Sequence, residues 1–228
     1  MIEIFKHKIM QPWWVRSHLL NSFLLGILLL SIAIDSGIAQ PITAATDYEW
    51  EISTPGRTIF RDRTPIGQIA LIKLEGGGIF GGKGKPTGEM LKMLADVSFV
   101  PGDTLRFFGA AIEFGTEKYI NGTIVLDVDE LPSLWKSAGY ISKTAINIAN
   151  TERVDTSIRY RGKSGWSLEF TQQGQDQFLG LAWTDPVSGT REHRSLTPDQ
   201  LTIMVDLIDL TIFELNRQGA TITLEKVR

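Results

Sequence analysis

The chain has 228 residues, 43% of them hydrophobic and 21% charged, with a formal net charge of −3 and no cysteine. That length supports one domain with a substantial core or two small ones. The acid surplus argues against general nucleic-acid binding, which needs an excess of Lys and Arg to neutralise phosphates. The missing thiols exclude disulfides, thiolate nucleophiles and Cys-ligated metal.

The first forty residues differ in kind from the rest. Lys6, Lys8 and Arg16 precede an uncharged apolar run over residues 19–34, and Gly37 and Ala39 follow with the small side chains of a cleavage site. Basic, apolar and small-residue regions in that order predict a secretory signal peptide over residues 1–39. The rival reading is an uncleaved membrane anchor with Trp13 and Trp14 at the interface, although sixteen residues fall short of the roughly 20 that a bilayer needs. Either way residues 40–228 are expected to be exported as a single α+β domain, into a periplasm, a lumen or the extracellular space. The domain would touch the membrane through its N-terminal segment if that stays uncleaved.

Beyond that segment, short β-rich runs are broken by Gly, Pro, Asn and Asp. Residues 66–74 are apolar on both alternating sets, which predicts a strand covered on both faces. Residues 76–85 are rich in glycine, and Gly77 with Gly82-Lys83 fits G-x-x-x-x-G-K. A phosphate loop needs more. Gly84 replaces the Mg²⁺-binding hydroxyl and Pro86 stands where the helix should run. The expectation is a glycine connection whose cationic tip, Lys83, is a candidate anion contact. Residues 88–96 place Met90, Leu91, Met93 and Leu94 at helical spacing and are read as a short helix, as are residues 130–137.

Strands are expected over residues 105–114 and 123–128. Asp127 and Asp129 share one strand face and are the candidate metal ligands, or the acid/base pair of a hydrolase. Further on, Ile158 and Tyr160 alternate with Arg159 and Arg161, and Trp166, Leu168 and Phe170 alternate with Ser167, Glu169 and Thr171. This predicts an antiparallel sheet half open to water, joined by a hairpin at residues 162–165. Runs at 178–184 and 190–194 add another hairpin. Arg159, Arg161, Arg191 and Arg194 could form a basic ligand-binding patch on the open face. His193 is the one histidine beyond the export segment, too few for a His-based metal cluster.

The most explicit element follows. Thr197-Pro198-Asp199-Gln200 combines an N-cap hydroxyl, a first-turn proline and acid, and a capping-box glutamine. Leu196 and Leu201 are placed as a hydrophobic staple. The helix is expected to run to about Asn216, with Gly219 beyond its end. Its seam is Leu201, Met204, Val205, Ile208, Ile212 and Leu215. Ile203, Leu207 and Leu210 fall opposite, so either a second layer of the domain or another protein must cover them. Residues 220–227 alternate like a last strand. The fold class expected is therefore α+β, mostly antiparallel sheet with one long C-terminal helix packed on it.

No catalytic set converges and no cofactor motif survives this reading. The expectation is a non-enzymatic exported domain that binds or stabilises an unknown protein or envelope component. The alternative is an exported carboxylate-dependent hydrolase or carbohydrate-active enzyme.

Overall fold

The computed structural model describes residues 47–75, 83–148, 151–185 and 188–224. The segment read as signal or anchor lies outside the described residues, as do the middle of the glycine run and the last four positions. Among the described residues no helix is long and apolar enough to cross a membrane.

The chain runs α1 (Asp47–Ser53), β1 (Phe60–Glu75), β2 (Lys83–Phe99), β3 (Arg106–Gly115), β4 (Ile120–Asp127) and α2 (Leu131–Ile148). It continues with β5 (Arg153–Arg161), β6 (Ser167–Gly174), β7 (Asp176–Thr184), β8 (Arg191–Ser195) and α3 (Pro198–Arg217). The strands make two four-stranded antiparallel sheets, ordered β1-β2-β3-β4 and β5-β6-β7-β8. The fold is α+β, as the alternation implied. Its order is a meander and a helix, given twice. The helices then cross over: α2 packs on β5 and β6, α3 packs on β1, β2 and β3, and the two helices pack on each other. One core joins them all, from Leu91 and Ile112 to Phe170, Leu181 and Ile208.

The glycine run joins β1 to β2, whose ends pair at Glu75 and Lys83. The strand at residues 66–74 lies within β1, but it is not covered on both faces. Ile69 and Leu71 are buried whereas Ala70 between them is exposed. Register shifts at Pro65/Gly67 and Ala70/Ile72 bend this strand, and a bulge is where a strand tolerates proline. Gly67 admits α3 to the sheet, because a Cβ there would stand 2.5 Å from Leu207 Cδ2.

The helix expected at residues 88–96 is instead the centre of β2. Leu91, Met93, Ala95 and Val97 are buried on one face, with Lys92, Leu94, Asp96 and Ser98 on the other. Met-Leu-Lys-Met-Leu suits a helix in isolation, but propensity is a weak prior. Here β1 and β3 bond the segment from both sides. The expected strand at residues 220–227 is also corrected: residues 220–224 belong to no strand. They lie as a tail, with Ala220, Ile222 and Leu224 against the core. The helix read at residues 130–137 extends to Ile148.

Candidate functional site

The capping box read at residues 197–200 is present at α3. Thr197 Oγ1 accepts from Gln200 N at 3.2 Å, and Gln200 Oε1 accepts from Thr197 N at 2.8 Å. Gln200 Nε2 also donates to Ala70 O, at 2.6 Å, tying the helix start to the bulge in β1. Leu196 and Leu201 are fully buried, as a staple requires. The seam is buried too, apart from half-buried Val205.

The opposite side divides. Leu207 is 8% exposed, pressed against Gly67 of β1. Ile203 is 47% exposed and Leu210 51%, so among the described residues no second layer covers them. Phe213, absent from the sequence reading, is 67% exposed on the same side. Spacings of seven and three carry these residues down one face of the helix, among the exposed acids Asp206 and Asp209. Phe213 was legible from the same wheel, since it stands three residues beyond Leu210.

Asp127 ends β4 and Asp129 lies in the turn beyond it, so the two do not share a strand face as expected, but both converge on an ammonium. Lys163 Nζ is 2.9 Å from each carboxylate and 3.5 Å from Asp47. Asp127 also accepts the amides of Tyr48, at 2.9 Å, and Asp47, at 3.1 Å, and so caps α1. Burial acts to raise the Asp127 carboxyl, but the Tyr48 amide, Lys163 and the Asp47 amide together hold it below its ordinary 3.8. The bonds to Asp129 and Asp127 raise Lys163 above its usual range. Glu130 accepts from Asp127 N at 3.0 Å and from Lys163 N at 2.7 Å, and burial pushes its carboxyl up. Among the described residues no group of three or more His, Asp or Glu is placed to hold a metal ion.

The arginines do not form one patch. Arg159 pairs with Glu169 at 2.5 Å, and Arg191 reaches the same carboxylate at 3.7 Å. Arg194 binds Glu89 at 2.8 Å and Glu192 at 3.2 Å, and its guanidinium lies over the Trp183 ring, 5.4 Å from the centroid. Trp183 stacks on Phe114 at 4.4 Å, so this column joins the two sheets. Arg161 is exposed at the end of β5. Lys83 opens β2, and His193 is exposed on β8, edge-on to Phe178.

A second polar network went unread in the sequence. Arg61 and Arg63 on β1 both bind the buried carboxylate of Asp96 on β2, and Arg63 continues to Glu113 on β3 at 2.7 Å. Alternation signals one face of a strand, but not which charges will meet across three strands. Compared with protein-family models and with curated proteins, the chain matches none.

Proposed function

We propose that this chain is an exported, non-enzymatic binding domain that docks on a protein or envelope partner through the outer face of α3. One observation carries the reading. Ile203, Leu210 and Phe213 stand about half to two-thirds exposed on a helix whose other face is buried. Scattered surface aliphatics are ordinary, but large apolar groups aligned on one helix face are a common form of recognition surface. The acids considered for a hydrolase give that alternative no support, because Asp127 and Asp129 are both bound to Lys163 Nζ. Export rests on the order of basic, apolar and small residues in the first forty positions.

The test joins fractionation with a surface variant. In its host the chain should be recovered outside the cytoplasm, bound to a defined partner. A Leu210→Asp/Phe213→Asp variant should keep its circular dichroism spectrum and lose that partner. A cytoplasmic location would remove the export reading, and full partner retention by the variant would remove the docking reading.

A further inference from the structure

A cleft of about 490 Å³ opens along β4, within the roughly 300–1,000 Å³ common for ligand sites. It is lined by Thr123, Ile124 and Val125 of β4, by the buried rings of Trp166 and Trp183 and by Thr184, and by Arg61 and residues of α1. β4 is the edge of its sheet, bonded to β3 alone. The direction of its free groups follows from two bonds. Asp127 N donates to Glu130 Oε2 at 3.0 Å, and Ser164 Oγ donates to Val125 O at 3.4 Å. Both partners lie on the side away from β3, while the β3–β4 register is unbroken from Gly122 to Asp127.

In an antiparallel ladder, alternate residues send amide and carbonyl to the same side. Thr123 therefore faces outward with Val125 and Asp127. Among the described residues, nothing beyond the sheet reaches the Thr123 amide or carbonyl, or the Val125 amide. Proteins usually guard such an edge with a charge, a proline or a bulge, or cover it with a helix or loop; here α1 and Ser164 flank the edge, and Ser164 takes only the Val125 carbonyl. Residues 122–126, Gly-Thr-Ile-Val-Leu, carry no charge or proline, and no register shift falls among them.

We propose that this edge receives an extended peptide as a fifth strand, bonded main chain to main chain at Thr123 and Val125. The Ile124 side of the sheet faces the core, so alternate residues of the added strand would lie toward Trp166 and Trp183 and should be apolar. Strand addition of this kind draws affinity from the backbone and selectivity from pockets for alternate side chains. The inference is independent of the α3 surface; either can fail without the other.

The test uses the full chain, ¹⁵N-labelled, with acetyl-Thr-Val-Thr-Val-Thr-amide as the probe. At millimolar peptide the Thr123 and Val125 amides should shift and exchange with solvent at least tenfold more slowly. The same peptide N-methylated at every residue should leave them unchanged. Val125→Pro removes an outward amide without touching the β3 ladder, and should weaken binding at least tenfold with an unaltered circular dichroism spectrum. If that variant does not fold, Thr184→Trp, which puts a bulky ring on the lining of the cleft, should weaken binding likewise. Unchanged amides, equal binding of the methylated peptide, or a folded variant that binds as wild type would overturn the proposal. So would protection of the two amides that rises with protein concentration in the absence of peptide, because a second copy would then occupy the edge.

Discussion

The outer face of α3 and the Asp127–Lys163 cluster drew attention in the sequence for opposite reasons, one apolar and one charged. The structure finishes them differently. Each charge of the cluster has found a counterpart within the chain: two carboxylates on one ammonium, two α1 amides on Asp127, and the Lys163 amide on Glu130. Ile203, Leu210 and Phe213 stay exposed among the described residues. The difference is instructive about where function is to be sought. A buried charge without a partner is costly, so charged clusters tend to be completed from within and are weak markers of a site. An exposed aliphatic costs the folded domain little, and its alignment with others needs another reason.

The sharpest way to break this comparison is within α3 itself. Leu207→Asp should prevent folding, because it puts a carboxylate into a buried site against β1 at Gly67, whereas Leu210→Asp should leave a native-like monomer. Circular dichroism and gel filtration separate them, and two unfolded proteins would mean that the outer face is structural. Ile208→Ala on the buried seam should cost about 2–5 kcal/mol in urea denaturation, the range for large-to-small changes in a core.

The charged cluster predicts a smaller, pH-dependent effect. Lys163→Met should cost about 1 kcal/mol at pH 7, because Lys163 is partly exposed and its pairs are partly screened. Asp127 has its folded value held below 3.8. A depressed carboxyl contributes stability that is present above its unfolded value and is lost as pH falls through the folded one. The gap between wild type and Lys163→Met should therefore close below pH 3.8, as followed by denaturant midpoints across pH. A gap that widens in acid would contradict the assignment. Smallest of all, Leu210→Ser and Phe213→Ser should each shift stability by no more than about 0.5 kcal/mol, the usual limit for surface changes.

Where structure follows from neighbours in sequence, the reading succeeded. The α3 cap was legible because Thr197, Pro198 and Gln200 act within one turn, and the hairpin at Gly162–Gly165 closes over four residues. Local pattern misled at β2, where Met90, Leu91, Met93 and Leu94 satisfy both periods and only pairing with β1 and β3 decides between them. It was silent on α1, a seven-residue helix fixed by Tyr48 against Gly109 and by the distant Asp127 carboxylate. Candidate sites suffered most. Asp127 was visible as an acid on a strand, but Lys163 meets it across 36 positions, a separation that no spacing rule encodes. The outer face of α3 was half legible: periodicity put Ile203, Leu207 and Leu210 together, and only packing distinguished Leu207 from the others.

The docking surface is tested most directly by placing a photoreactive benzophenone side chain at position 213 and irradiating the full chain in its host. Tyr119, 71% exposed on the loop before β4, is the control position. A discrete adduct of one mass from position 213, absent from position 119, is the expected result. No adduct from position 213, or the same adducts from both positions, would contradict it.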